Sequence, residues 1–296
     1  MSGGYGIDVI GGPSWPSSGN IAIGSIQWTE APSRNLPSLS DARDGDDWRL
    51  EYDEDRFWVS LEGGASYMVE LPDDSAATVT AVLEGWPLEK ASLFFILGLL
   101  PLALPRFGLT PLHGAAYSTD GVTACLVMGD SGTGKSTTLA TQISRGATFL
   151  ADDACAIDQR GSLWPAPPYW ASRDEPSGAD HDYIGKAVHR AERTADGPLD
   201  VGCTIVLRPE PGSALGVERL PAQESLLAAI ANQRSPWLFT SRDEQARRLT
   251  ATTAVAGRPV GLARYDQDRH EPGELVDAID AWSGSLSHPT PTSSVQ

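Results

Sequence analysis

The stretch "VMGDSGTGKSTTLA", residues 127–140, decides how the rest of this 296-residue chain is read. Gly129, Gly134, Lys135 and Ser136 spell G-x-x-x-x-G-K-[ST], a phosphate-binding loop. Its glycines let successive backbone N–H groups turn inward around phosphate oxygens, and the N-terminus of the following helix adds its positive end. The residues expected to cradle a nucleotide are therefore Gly129, Asp130, Ser131, Gly132, Thr133 and Gly134, followed by Lys135, Ser136 and Thr137. Lys135 is placed to reach the β- and γ-phosphates and the Ser136 hydroxyl to ligate Mg2+, so ATP and Mg2+ are the expected ligands. The chain has only three Lys, and one of them stands here.

Around the loop, 122–128 reads as a strand, 136–145 as a helix and "ATFLA" (147–151) as a buried strand. A right-handed crossover puts the carboxyl ends of both strands on one edge of the sheet. Asp152 and Asp153 then emerge beside the phosphates. One of them is expected to position Mg2+ and the other to accept a proton from an attacking hydroxyl. The blander alternative is a pair of turn residues between strands. Upstream, Asp120-Gly121 signals a two-residue hairpin turn. Thr119 then faces Val122, and His113 lies opposite Met128, immediately before the loop. His113 is thus a candidate for stabilising developing charge or orienting the acceptor, against the alternative of an ordinary structural histidine.

The remaining organisation follows from composition and periodicity. Residues 1–45 are rich in Gly, Pro and Ser and are expected to be flexible, with one strand-like island at 21–28. Three short alternating runs, 48–53, 56–61 and 66–71, predict an antiparallel meander. Asp73-Asp74-Ser75 is expected to cap a helix through about Glu84, and "LEKASLFFILGLL" a second, buried one. Residues 46–110 thus form a small α+β accessory domain and 111–282 the core. The segment 161–198 is ambiguous. Later strands are expected at 154–158, 201–208 and 259–265 and helices at 222–233, 242–257 and 273–282, with a disordered Ser/Thr/Pro-rich tail over 283–296.

Charge and cysteine content bound the function class. A formal net charge of −17 argues against nucleic acid or an anionic membrane as the main partner and is compatible with a basic peptide. Cys125, Cys155 and Cys203 share no metal spacing and read as reduced thiols. The N-terminus lacks the basic and apolar regions of a signal peptide, and the apolar run 91–105 is short and broken by Pro101, so a cytoplasmic location is expected.

Residues 112–157 carry a longer pattern: His113-Gly114, the loop Gly129 to Ser136, Arg145-Gly146 and Ala151-Asp152-Asp153. This combination resembles the catalytic core of HPr kinase/phosphorylase and its smaller kinase-like relatives. The resemblance implies an α/β fold with a mixed-sheet kinase core of the phosphoenolpyruvate carboxykinase type. It also implies transfer of the γ-phosphoryl group to a serine hydroxyl of a peptide or small protein, with ATP and Mg2+. Carried over by motif, Asp152 is the general base, Asp153 joins Ser136 at the metal, His113 orients, and Lys135 holds phosphate. Thr137 stands where the bifunctional enzymes carry Glu, and no Arg- and Gly-rich phosphorolysis segment is present. The chain is thus more similar to stand-alone kinases of peptide natural-product biosynthesis, including lasso-peptide kinases, which share an "LWP" element like that in "GSLWPAPPYW" (161–170). Trp164, Tyr169 and Trp170 are candidates for a peptide groove or for packing, and Arg173 and Arg234 for charge-stabilising arms or surface ion pairs. The bifunctional relatives assemble into oligomers, which makes a homo-oligomer the assembly the resemblance implies. Two other readings fit the loop: a small-molecule kinase acting on an acceptor such as free serine, and a regulatory module that binds nucleotide without transfer. The Asp pair and His113 argue against the module, since binding alone needs no base beside the γ-phosphate.

Overall fold

The computed structural model describes residues 7–10, 24–31, 39, 41–45, 48–62, 64–72, 77–172, 182–183 and 186–286. Seven strands build the first sheet: β1 (Ile7–Ile10), β2 (Gly24–Ala31), β3 (Asp41–Asp44), β4 (Trp48–Tyr52), β5 (Arg56–Leu61), β6 (Ala65–Glu70) and β7 (Ala77–Leu83). Their order is β1-β2-β7-β6-β5-β4-β3. The expected meander is β4–β6, antiparallel throughout. The helix expected up to Glu84 is instead β7, while its proposed cap at Asp73 to Ser75 lies outside the described residues. "ATVTAVL" alternates with period two and is rich in β-branched side chains, which pack better on a pleated surface than in a helix. Val79 and Ala81 face inward, fully buried, and Val79 pairs with both Trp28 and Val69. Strands β1 to β3 fall within the stretch expected to be flexible, so the sheet crosses the domain boundary drawn at residue 45.

Helix α1 (Leu88–Phe94) continues through a wide π turn (Phe95–Leu99) into α2 (Leu100–Ala103) and a 3-10 turn (Leu104–Phe107). Pro101 therefore does not break the helix. The π turn ahead of it removes the clash that a proline ring makes with the preceding turn. The run covers the first sheet: Phe95 meets Trp28 edge-on at 5.5 Å, and the Tyr67 hydroxyl donates to the Ala91 carbonyl at 2.7 Å. Among the described residues, Leu88–Phe107 is the one helical run long and apolar enough to cross a membrane, and most of it is buried within the fold.

The second sheet is mixed. After β8 (Thr110–Leu112) come β9 (Gly114–Ser118), β10 (Thr123–Met128), α3 (Lys135–Ser144), β11 (Thr148–Asp152), β12 (Cys155–Ile157) and β13 (Ser162–Trp164). A three-stranded sheet follows, β14 (Tyr169–Ser172), β15 (Asp182–Tyr183) and β16 (Lys186–Arg190), so the described part of the ambiguous segment 161–198 carries several short strands. The chain ends with β17 (Leu199–Pro209), β18 (Gly216–Arg219), α4 (Ala222–Ala231), α5 (Arg242–Ala256), β19 (Val260–Tyr265) and α6 (Pro272–Leu286). Helix α6 passes the point where a tail was expected to begin, and 287–296 lie outside the described residues.

Strand order β11-β9-β10-β17-β13-β12-β8, with β19 also on β17, sets the site. Strands β10 and β11 are not neighbours; β9 lies antiparallel between them, so the βαβ unit is split. Both still run the same way and end on the same edge, as the crossover argument requires. The β9–β10 hairpin is one residue looser than expected: Met128 pairs with Gly114, not His113. Asp120 explains this. Its carboxylate accepts from the backbone N–H groups of Val122 and Thr123, both at 2.8 Å, and from the hydroxyls of Ser118 and Thr123, both at 3.0 Å. That network holds a wider loop than a two-residue turn. Burial opposes ionisation there, but the four donors prevail and lower the Asp120 carboxyl to about 2. All three cysteines are free thiols, and Cys125 and Cys203 are register partners on β10 and β17.

Candidate active site

The loop between β10 and α3 takes the shape that its glycines permit. Gly129, Gly132 and Gly134 have φ of 144°, 84° and 81°, a region open to glycine and strained for other residues. A Cβ at Gly129 would come within 2.9 Å of the Leu207 carbonyl on β17, so the loop is also packed too closely for a side chain. Outside contacts hold it from two directions. Asn232, just after α4, accepts the Gly129 N–H at 3.2 Å, and its own carbonyl accepts the His113 N–H at 2.6 Å. From the other flank the Tyr265 hydroxyl donates to the Thr133 carbonyl, and the Gln267 amide to the Gly132 carbonyl at 2.9 Å. Within the loop, the Thr133 hydroxyl donates to the Asp130 carbonyl at 2.8 Å.

Lys135 is only 7% exposed, and its Nζ donates to the carbonyls of Gly129 and Asp130, both at 2.8 Å. Burial lowers its pKa, and the charges of Asp153 and Asp152 work against that shift. The two carboxylates part company. Asp152 closes β11, while Asp153 adopts a left-handed backbone with φ of 66°, and the Ala154 N–H bonds the Asp152 carbonyl at 2.8 Å. That tight turn sends the neighbouring side chains to different partners. Asp152 accepts the Ser136 hydroxyl at 2.9 Å and the Ala171 N–H of β14 at 3.2 Å. Burial raises its pKa, and the Asp153 charge adds to the rise. Asp153 pairs with the Arg234 guanidinium, and His113 Nδ1 stands 3.3 Å from its Oδ1 and 3.2 Å from its carbonyl. Burial would raise the Asp153 carboxyl too, but Arg234 and His113 hold it well below the usual carboxylate range.

These groups surround one cleft of about 520 Å³. Ser131, Gly132, Gly134, Lys135, Ser136 and Thr137 line it, with His113, Asp152 and Asp153. Gly129, Asp130 and Thr133 do not line it. The structure brings His113, Lys135, Ser136, Asp152 and Asp153 to one cleft. Ser136 bonds Asp152, not Asp153, so the carboxylate expected to be the base lies beside the hydroxyl expected at the metal. Magnesium fits this donor set: Ser136 and Asp152 offer the hard oxygens it prefers.

Of the two readings of Arg234, the structure shows an ion pair, with Asp153; Asn232, Lys186, Ser172 and His189 were not singled out from the sequence, and the last three also line the cleft. Lys186 is one of three lysines in the chain, the single compositional sign of its position. Arg173 lies outside the described residues.

No family model matches the chain, and no curated protein matches it. Among solved structures it is similar to the Hpr(Ser) kinase/phosphatase from Coxiella burnetii, at 13% identity and a TM-score of 0.33, over 60% of this chain and 92% of that one.

Proposed function

We propose that the chain is an ATP- and Mg2+-dependent kinase that transfers the γ-phosphoryl group to a hydroxyl, with a serine of a peptide or small protein as the acceptor. The observation that carries this reading is the meeting of a glycine-rich loop with two carboxylates in different surroundings, beside a histidine and an arginine. Loop amides and the α3 N-terminus would take the phosphate charge, and Lys135 would leave the two carbonyls it now caps to reach the β- and γ-phosphates. Ser136 and Asp152 would hold magnesium, which neutralises charge on the phosphate oxygens when bound. Asp153 would accept the acceptor's proton, with His113 and Arg234 fixing its direction. In the transfer the bond between the γ-phosphorus and the bridging oxygen breaks, leaving its electron pair on ADP. A new bond joins phosphorus to the acceptor oxygen, and that oxygen's proton passes to Asp153.

The peptide acceptor is supported by the resemblance of residues 112–157, and the tailoring of a lasso-type precursor peptide is its most specific form. The test is intact-mass analysis of serine-containing peptides, including any short peptide encoded beside this gene, after incubation with MgATP. The expected result is one phosphate gained per peptide with matching ADP release. Transfer to free serine alone would favour a small-molecule kinase. Nucleotide binding with no transfer to any hydroxyl would contradict the kinase reading.

A further inference from the structure

One wall of the cleft is formed by β14 and β16, and beside Lys186 it presents a pair of flat rings. Trp170 and His189 are register partners on β14 and β16, with rings 4.1 Å apart and 18° from parallel. The Ser172 hydroxyl and His189 Nε2 are joined by a hydrogen bond of 2.9 Å, which fixes the imidazole plane. Both rings are half-buried, and both line the same cleft as Lys135 and Ser136. Thr137, Ala140 and Thr141 of α3 line it as well, spaced so that they share one helix face. This face continues directly from the two residues expected to mark the β- and γ-phosphates. A nucleotide held by the loop would therefore run from Ser136 past Thr137 toward this aromatic wall. The stack is too tight for a ring to enter between indole and imidazole, so a planar ligand can only be added to its outside.

We propose that the Trp170–His189 stack is the nucleobase shelf of this cleft, taking the flat ring of a purine nucleoside triphosphate while the loop holds its phosphates. The shelf rests on the reading of the loop as a nucleotide site. Stacking supplies the affinity because every base presents a π-face, and the larger purine ring covers more of the indole than a pyrimidine does. The small side chains of Ala140 and Thr141 leave room for the sugar alongside. The fixed pair also means that little rotamer freedom is lost when the base arrives.

Calorimetric titration with MgATP and with magnesium tripolyphosphate, which has phosphates and no base, separates the shelf from the loop. In the wild type MgATP should bind more tightly than tripolyphosphate, and ATP more tightly than CTP. Trp170→Ala should weaken MgATP about 10- to 100-fold while leaving tripolyphosphate affinity unchanged, and Trp170→Phe should recover most of the loss. Equal weakening of both ligands would show that the stack only braces β14 and β16 and would overturn the shelf. Unchanged MgATP affinity in Trp170→Ala would overturn it as well. A wild-type protein that binds neither ligand would overturn the nucleotide reading itself, whereas equal wild-type affinity for both would overturn the shelf alone.

Discussion

At Asp153 the chain passes through the left-handed region, where a non-glycine residue persists only if its surroundings fix it. Here Arg234 and His113 do so, and the consequence is two adjacent carboxylates with opposite proton affinities. Their roles separate in mutation. Asp153→Asn should cut transfer by about 10²- to 10⁴-fold with MgATP affinity retained, whereas Asp152→Asn should weaken the magnesium dependence of nucleotide binding; kinetics with matched titrations reads both. The pH dependence has opposite signs at the two positions. The lowered Asp153 carboxyl adds stability above its ordinary value of about 4, lost as pH falls below that, so Asp153→Asn should flatten the acid limb of thermal stability. The raised Asp152 carboxyl favours the folded state at low pH and loses that advantage as pH rises through its folded value. Without magnesium, Asp152→Asn should therefore raise the melting temperature at neutral pH, on the order of a few degrees. The loop residues and the Asp pair were legible because glycine conformation and strand-end carboxylates are local properties. Which carboxylate meets Ser136 was not, since it depends on a turn that an Asp-Asp dipeptide does not announce.

Among the elements, the connection from α4 to α5 does the most to assemble the site, although its sequence carries no motif. Asn232 bridges Gly129 and His113, Arg234 reaches Asp153, and the Arg234 N–H bonds the Pro111 carbonyl at 2.9 Å. Beyond Arg234, Trp237 contacts Tyr52 at a ring separation of 5.0 Å and lies under the Arg43 guanidinium at 4.1 Å. Ser235 and Phe239 in this segment also have left-handed backbones, with φ of 47° and 54°. The first sheet thus anchors the strand of chain that presents the arginine. Trp237→Ala should lower transfer by up to about a hundredfold through misplacement of Arg234, with MgATP affinity unchanged, in the same paired assay. Such long-range supports are invisible to periodicity, as Asn232 and Gly129 are 103 positions apart. Periodicity itself succeeded for the meander and for the late helices. At β7 the residues before the strand, Asp73 to Ser75, resemble a helix cap, whereas the strand itself shows in the alternation of Ala77, Val79 and Ala81 with Thr78 and Thr80.

For the molecule as a whole, a single apolar core joins both sheets: Tyr67 and Phe95 from the first region belong to the same buried cluster as Leu126 and Phe149 from the second. The site lies on the carboxyl edge of the second sheet, where α/β folds place ligands. That edge was foreseeable from one crossover rule, even though β9 intervenes between the strands it concerns. The role of the first sheet in holding Trp237 was not foreseeable, because it arises only when distant segments pack. The central claim is that this edge transfers phosphate from ATP to a serine hydroxyl of a peptide. It is tested most directly by following label from γ-labelled ATP into a pool of synthetic serine-containing peptides, comparing the wild type with Asp153→Asn at equal nucleotide occupancy. The account expects labelled peptide with the wild type and near-complete loss with the variant. Equal labelling by both proteins, or none by a wild type saturated with MgATP, would contradict it.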